Sequence, residues 1–242
     1  MFRKGMDYYK EMGFDEYGFS QDDQREICEY YEFSQTDEGR KLLIQPIDKE
    51  NFDSMRYMKE FLPDVCFLWY DGGSNYGGAY VFGPLRGKVM FLSHDEPNYA
   101  PLFRNISNFL ERVKKRDIKE FLTPKLGDCD YPAKNQSIEE KKQNFETAKQ
   151  FLDTLIDIDE EDAYYQTALK ACYLIPEEHL DLLIPLLKSG NIYVEQELPG
   201  IFAFHTYKAA VPALRDAIEK GSIHVKESAK RALAKLGRTL GN

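Results

Sequence analysis

Apolar side chains recur along the first half of the chain with the spacing of amphipathic helices. Three segments have this pattern: residues 20–33, 51–64 and 105–115. Ser20 precedes the first segment as a suitable N-cap, and Pro63 is placed to end the second. Either Asn105 or Ser107 can cap the third. The pattern therefore predicts three helices in this half of the chain.

Shorter apolar runs between these helices indicate strands. GAYVFG (78–83) and KVMFLS (88–93) are rich in β-branched and aromatic residues and are joined by GPLRG, so they predict a hairpin. KLLIQPI (41–47) is a short extended candidate that breaks at Pro46. DVCFLWY (64–70) fits a buried strand and a buried helix equally, because a short apolar run carries no distinguishing period.

The second half has a different pattern, with helical periodicity and no strand pattern from residue 138 onward. Residues 179–194 align with residues 210–225 at an offset of 31, and residues 145–175 form a third helix pair upstream. The matching positions are Leu180 with Val211, Leu183 with Leu214, Leu187 with Ile218, Gly190 with Gly221, and Val194 with Val225. The offset indicates an internal repeat, and about three helix pairs are the minimum for a solenoid.

The last of these pairs, VPALRDAIEKGSIHVKESAKRALAKLG (211–237), resembles a HEAT-type repeat. It has a proline in the first turn and a row of apolar residues on its second helix. Residues 123–137 contain two prolines and a glycine with little apolar pattern, so they are predicted to be a linker. We therefore predict an α+β domain over residues 1–122, consisting of a small sheet flanked by helices, and an all-α domain of HEAT-like helical hairpins over residues 138–242.

Charge narrows the class of partner. The net charge is −9 and the isoelectric point about 5.1, which disfavours nucleic acid because its binding needs a basic surface. Residues 1–39 hold eleven Asp or Glu against four Lys or Arg. Residues 215–238 have the opposite balance, seven Lys or Arg against three Asp or Glu. The acidic start is suited to steering a cationic partner toward the protein.

No stretch approaches the roughly 18 apolar residues of a membrane span, and the first residues lack the apolar core of a signal peptide. We therefore expect a cytoplasmic protein without membrane contact. The cysteines are too far apart for a CxxC zinc pair, and we expect reduced, mostly buried thiols. They are Cys28, Cys66, Cys129 and Cys172.

Six of the 16 glycines lie in DGGSNYGGAYVFGPLRGKV (71–89), which raises the possibility of a phosphate-binding loop. Such a loop needs GK[ST], or GxGxxG between a strand and a helix, and the spacing here is GGxxxGG followed by a strand. We therefore interpret these glycines as turns around the hairpin.

The stretch LPDVCFLWYDGGSNYGGAYVFGPLRGKVMFLSHDEPNYAPLFRNISNFLERV (62–113) resembles the SUKH superfamily. That superfamily includes the fungal Smi/Knr cell-wall synthesis regulators and many bacterial immunity proteins. The matching features are Leu62–Pro63, an apolar segment ending at Gly72–Gly73, the glycine-bounded strand pair, the HDE motif (94–96) and the closing helix. The resemblance implies that residues 64–70 are helical and that the domain binds proteins without catalysis. Many bacterial members are thought to neutralise polymorphic toxins such as nucleases and deaminases.

Motifs that would indicate a catalytic or metal-binding site are weak. His94, Asp95 and Glu96 are the nearest approach to a metal or catalytic cluster, but neighbouring residues of an extended segment point to opposite faces, which favours a polar loop at the strand end. DIDEEDAYY (157–165) lacks the glycine and the final glutamate of a calcium loop. We therefore expect no catalytic residue, no metal and no cofactor.

The function predicted from these features is stoichiometric binding of another protein, a SUKH-type immunity protein acting on a basic toxin domain. The predicted contact residues are Asp71, Asn75, Tyr76, Tyr80, Phe82, His94 and Asp95. Trp69 and Tyr70 are predicted to be core. Two alternatives stay open: a Smi/Knr-like scaffold whose helical repeats hold a cellular partner, and an enzyme whose site is not visible in the sequence. The oligomeric state stays open too.

Overall fold

In a computed structural model the chain forms two units, Met1–Asp130 and Tyr131–Asn242. The structure describes residues 3–95, 98–115, 126–127, 129–132 and 136–238. The first unit contains a four-stranded antiparallel sheet with helices, and the second is helical. The predicted fold class, α+β followed by a helical region, is confirmed.

The first unit builds its sheet from consecutive strands in the spatial order β1-β2-β3-β4. The strands are β1 (Gln45–Pro46), β2 (Val65–Tyr70), β3 (Tyr76–Tyr80) and β4 (Val89–Leu92). Its α-helices are α1 (Arg3–Glu11), α2 (Gln21–Ser34), α3 (Lys49–Ser54) and α4 (Ile106–Lys114). Short 3₁₀ helices cover Phe14–Tyr17, Gly39–Lys41 and Met55–Glu60.

Two of the predicted helices have the predicted caps. The Ser20 hydroxyl accepts a hydrogen bond from the Asp23 amide at 3.1 Å and begins α2. Asn105, rather than Ser107, caps α4 by accepting from the Asn108 amide at 2.8 Å. The predicted helix over residues 51–64 differs: α3 begins after the cap Asp48, and the chain tightens into the 3₁₀ helix Met55–Glu60 before Pro63.

DVCFLWY is a strand, so the helix implied by the family resemblance is wrong. This segment forms β2, which pairs with β1 on one edge and β3 on the other. Five of its six residues are buried, because a central strand covered on both faces carries apolar side chains at consecutive positions. A β-bulge at Leu68 shifts the register, so that Phe67 lies opposite Gly78 while Trp69 lies opposite Gly77.

The glycine-rich segment serves two different purposes. Gly72, Gly83 and Gly87 have positive φ of 76°, 69° and 84°, as expected for turns. The prediction of turns is wrong for Gly77 and Gly78, which lie inside β3. There the backbone is packed closely: a Cβ at Gly78 would lie 2.6 Å from Val65 Cγ1, and one at Gly77 would lie 3.1 Å from the Trp69 ring.

Helices α1, α2 and α4 pack the sheet into a core that contains several tyrosines with satisfied hydroxyls. Tyr8 donates to the Ile47 carbonyl at 2.8 Å, and Tyr30 donates to the Ile44 carbonyl at 2.6 Å. On α4, Phe109 lies against Trp69 with ring centroids 4.7 Å apart. Trp69 is therefore core, as predicted.

The second unit consists of α-helices connected by short 3₁₀ helices and turns. They are α5 (Ile138–Thr154), α6 (Glu161–Leu174), α7 (Ile192–Phe204), α8 (Val211–Lys220) and α9 (Ile223–Arg238), with 3₁₀ helices Leu155–Asp157, Glu177–Lys188 and Lys208–Ala210. α5 opens with a capping box between Ser137 and Glu140.

The repeat found in the sequence corresponds to two successive helical hairpins, Glu177–Lys188 with α7 and α8 with α9. The matched apolar positions are buried or half-buried in both hairpins. The matched glycines differ, because Gly190 has φ 84° whereas Gly221 is extended and a Cβ there would lie 2.5 Å from the Ala217 carbonyl oxygen. The same residue is thus used once for a left-handed turn and once for close packing.

Residues 123–125, 128 and 133–135 of the predicted linker lie outside the described residues. The described part is not a solvated chain, because Cys129 and Tyr131 are buried. The Tyr131 hydroxyl accepts a hydrogen bond from Asn144 Nδ2 of α5 at 3.3 Å. Cys28, Cys66 and Cys172 are buried too, as expected. Within the described ranges, no helix has the length and apolarity to cross a membrane.

Candidate functional site

The predicted contact residues are divided between the two ends of the sheet, so they do not form one surface. Asp71 and Asn75 belong to the turn between β2 and β3, Tyr76 and Tyr80 begin and end β3, and His94 and Asp95 follow β4. Their burial ranges from fully buried to largely exposed. The turn after β2, strand β3 and the segment after β4 therefore have separate roles.

Asp71 holds the turn that follows β2. Its Oδ1 accepts hydrogen bonds from the Gly73 amide at 2.7 Å and from the Asn75 amide at 3.2 Å, while Oδ2 accepts from Asn75 Nδ2 at 2.7 Å. The turn includes positive φ at Gly72 and at Ser74, which has a φ of 68°. The carboxylate stabilises this backbone by satisfying its amides, which is a common role of aspartate in turns.

Asn75 connects that turn to the end of β4. Its Oδ1 accepts from the His94 amide at 3.0 Å and lies 3.1 Å from His94 Nδ1. The other ring nitrogen, Nε2, lies 3.0 Å from Asp95 Oδ1. Asn75 is only 1% exposed, so its amide cannot meet a partner, and the prediction of Asn75 as a contact residue is wrong.

Glu96, the third member of the HDE motif, lies outside the described residues. Among the residues whose placement is described, no group of three or more His, Cys, Asp or Glu side chains lies together in a way that could hold a metal ion. The hydrogen bonds of His94 and Asp95 instead link the end of β4 to the turn.

Tyr80 and Phe82 have opposite environments, although strand alternation predicts one face for both. Tyr80 is 4% exposed and donates its hydroxyl to the Tyr99 carbonyl, and burial raises its pKa well above the ordinary value. The prediction of Tyr80 as a contact residue is therefore wrong. Phe82 is 49% exposed, because β3 ends at Tyr80 and the chain then turns at Gly83.

Tyr76 belongs to a group of three tyrosines at the surface, of which the sequence analysis predicted only Tyr76 as a contact residue. Tyr76 lies opposite Tyr70 across β3 and β2, and their rings are nearly parallel, with centroids 6.5 Å apart. Tyr70, predicted as core, is only half-buried. Tyr57, on the 3₁₀ helix Met55–Glu60, is 61% exposed and lies near enough to Tyr76 to influence its ionisation.

The hydroxyl of one of these tyrosines is fixed by α3. Tyr76 donates to Asn51 Oδ1 at 3.3 Å, and Asp48 lies near enough to Tyr70 to raise its pKa. Asp48 also caps α3 by accepting from the Asn51 amide at 2.8 Å. We call the group Tyr57, Tyr70 and Tyr76, with the flanking carboxylates Asp48 and Asp71, the tyrosine patch.

Nearby carboxylates affect the ionisation of the tyrosine patch, after burial as the main cause. Burial raises the pKa of Tyr70, and the nearby charge of Asp48 raises it further. Burial also raises the pKa of Tyr76, with further increases from Tyr57, Asp48 and Asp71. Burial acts to raise the pKa of Asp48, but hydrogen bonds from the Asn51 amide and side chain outweigh it, and that pKa is lowered overall.

A negative surface lies on the helices before the sheet. Its exposed carboxylates belong to Asp7, Glu11, Asp15, Glu16, Asp22, Asp37 and Glu38. Part of the acid in this region is used internally: Arg25 pairs with Asp22 at 2.9 Å, and Glu32 accepts a hydrogen bond from the Gly5 amide at 3.1 Å in the first turn of α1. The remaining charge is solvated and available to attract a basic partner from a distance.

Sequence reasoning did not single out Tyr57 or Asp48. The signal for Tyr57 was present, because Met55 and Met58 are the buried residues of that segment and the intervening tyrosine faces outward. The proximity of Tyr57 to Tyr76 depends on how the 3₁₀ helix is placed relative to the sheet, which no local pattern predicts. Comparisons with protein-family models, curated proteins and solved structures find no match for this chain.

Proposed function

We propose that this chain is a non-enzymatic protein-binding protein that acts as a SUKH-type immunity protein and neutralises a toxin by stoichiometric binding. The observation that carries the proposal is the tyrosine patch. Tyrosines present large, rigid rings at low cost in conformational entropy, and such residues dominate the binding energy of many interfaces.

The resemblance over Leu62–Val113 supports the same function. Its glycine-bounded strand pair and its closing helix correspond to β3, β4 and α4, while its implied helix over residues 64–70 does not fit. The proposal therefore rests on the exposed aromatic surface of the first unit first, and on the resemblance second.

The charge distribution favours a basic partner. The exposed carboxylates of residues 1–39 would accelerate association with a cationic protein, in a way that weakens as salt increases. Toxin nucleases are typically basic because they bind nucleic acid, so the sign of the charge agrees with the proposed target class.

A scaffold function is the second candidate, and one observation favours it. In the second unit Tyr165 of α6 and Tyr193 of α7 form a ring pair with centroids 5.4 Å apart, and Tyr193 is 52% exposed. An exposed aromatic pair on a helical array is a suitable anchor for a cellular partner.

The test is co-expression of the full chain with the product of the adjacent upstream gene, read out by pull-down and by rescue of growth. We expect rescue and a complex of equal stoichiometry. Tyr57→Ala is expected to abolish rescue without unfolding the protein, because that side chain is largely exposed. Absence of both complex and rescue would refute the immunity function. A cellular partner whose binding is lost in Tyr193→Ala and kept in Tyr57→Ala would establish the scaffold function.

A further inference from the structure

We infer that the tyrosine patch binds an arginine side chain of the partner, an inference that rests on the proposed protein-binding function and specifies its chemistry. The patch combines nearly parallel aromatic rings with flanking carboxylates. Both kinds of group attract a cation: the rings through their negative faces, and the carboxylates through charge and hydrogen bonding.

The ring arrangement is fixed before any partner arrives. Tyr70 and Tyr76 lie directly opposite on neighbouring strands, with their ring planes 23° apart. The Tyr76 hydroxyl is tied to Asn51 Oδ1, so this ring does not have to be ordered on binding. Phe67 supports Tyr76 in an edge-to-face pair, with the two centroids 6.0 Å apart.

The cations nearest to α3 in the chain have partners of their own. Lys49 and Arg56 both pair with Asp53, at 3.4 Å and 3.0 Å. Lys59 lies over the Tyr17 ring at 5.1 Å from its centroid. The charge of Asp53 is thus neutralised within the chain, whereas Asp48 and Asp71 receive hydrogen bonds from neutral donors and keep their full negative charge toward the rings.

Arginine fits this surface better than lysine. Its guanidinium is planar, stacks on aromatic faces, is weakly hydrated and donates several hydrogen bonds in one plane. A carboxylate has about four acceptor positions, so Asp48 and Asp71 keep accepting capacity beyond the bonds that they already make. Lysine, a strongly hydrated point charge, would lose more hydration for fewer contacts.

The acidic surface of α1 and α2 has a different role. Its carboxylates are largely solvated, and the Asp22 carboxylate pairs with Arg25. Exposed charges of this kind steer a partner and discriminate little between arginine and lysine. A preference for arginine therefore distinguishes the tyrosine patch from general attraction to an acidic protein.

The test is fluorescence polarisation of the full chain with two labelled probes, a nonapeptide of arginine and a nonapeptide of lysine. The informative variants are Tyr57→Leu, which keeps apolar area without the aromatic ring, and Asp48→Asn, which keeps the helix-capping oxygen without the charge. The matched controls are Tyr193→Leu, an exposed tyrosine of the second unit, and Asp22→Asn, an exposed carboxylate of α2.

We expect the arginine peptide to bind more tightly than the lysine peptide. Tyr57→Leu and Asp48→Asn should each weaken arginine binding by roughly 3- to 10-fold, the range that corresponds to one cation–ring or charge contact. The controls should change it by less than about 2-fold. Equal binding of both peptides, or equal losses in Asp22→Asn and Asp48→Asn, would overturn the inference. If growth rescue nevertheless occurs, the protein-binding function stands and only the assignment of the patch is wrong.

Discussion

Gly78→Ala is the substitution that most directly tests how the first unit is packed. The added methyl would lie 2.6 Å from Val65 Cγ1, 3.2 Å from Phe67 Cδ1 and 3.4 Å from the Cys66 carbonyl oxygen. Carbon atoms in contact normally keep about 3.5–4.0 Å apart. Val65 is β-branched and buried on a central strand, so it has no alternative rotamer that would relieve the contact easily.

The expected cost follows from these distances. Overpacking a filled core by one methyl destabilises a protein by about 1–3 kcal/mol. Replacing glycine by alanine recovers about 0.5–1 kcal/mol of backbone entropy, which leaves a net range of about 0–2.5 kcal/mol; the short contact with a rigid side chain favours a loss of roughly 1–2 kcal/mol. Gly73→Ala is the matched control: its nearest contact would be Asp71 Oδ1 at 3.4 Å and its φ is not positive, so it should be neutral or stabilising by up to about 1 kcal/mol.

The assay is equilibrium unfolding in urea, followed by tryptophan fluorescence. Trp69 is the only tryptophan of the chain and is buried against α4, so its emission reports on the first unit. The midpoint should decrease for Gly78→Ala with an unchanged slope. Val65→Ala in the same background removes the closest atom, so the double variant should be more stable than the sum of the two single effects by about 1 kcal/mol.

Equal stability of Gly78→Ala and Gly73→Ala would refute this account of the glycine pair. Additive effects of Gly78→Ala and Val65→Ala would refute it too, because they would show that the new methyl does not meet Val65. In either case the glycines of β3 would need an explanation other than close packing.

Three further predictions concern single groups. Asn75→Leu should destabilise the first unit by about 1–3 kcal/mol in the same urea assay, because the partly buried Asp71 carboxylate and His94 amide would lose their hydrogen bonds to Asn75; a loss below about 0.5 kcal/mol would contradict that role. Folding lowers the pKa of Asp48, so the charged carboxylate stabilises the folded protein above the unfolded pKa, and this stability is lost as pH falls through the folded pKa. In Asp48→Asn, the free energy of unfolding should therefore decrease less steeply with falling pH below about pH 4. Burial raises the pKa of Cys28 to about 11, so a thiol reagent at pH 8 should leave Cys28 unmodified until urea unfolds the chain. Rapid labelling of Cys28 in the folded protein would contradict its burial.

The parts of the fold that were predictable from sequence are those decided by local chemistry. Ser20 and Asn105 begin helices because a short polar side chain satisfies the first free amides wherever it stands. The positions Leu183 and Leu214 were recognisable as one repeated core position because helical spacing persists through both hairpins.

The parts that were not predictable depend on pairing partners far along the chain. β2 is a strand because β1 and β3 pair with it on either side, and no pattern within DVCFLWY itself distinguishes a strand from a helix. Gly77 resembles a turn residue until the position of Trp69 is known. Only part of the candidate site was predictable, for the same reason. Asp71 and Tyr76 are marked by the glycines beside them, whereas Tyr57 comes near them only through tertiary packing.

The bulge at Leu68 limits how this protein can change through evolution. The extra residue decides that Trp69 faces α4 while Tyr70 faces Tyr76, so deleting or inserting one residue in β2 would exchange a core ring with a surface ring. Tyr57, in contrast, is largely exposed on a separate segment and can be replaced without disturbing that register. Descendants of this chain can therefore alter partner choice by point substitution at the periphery of the patch, while length changes in the strand beneath it would be eliminated.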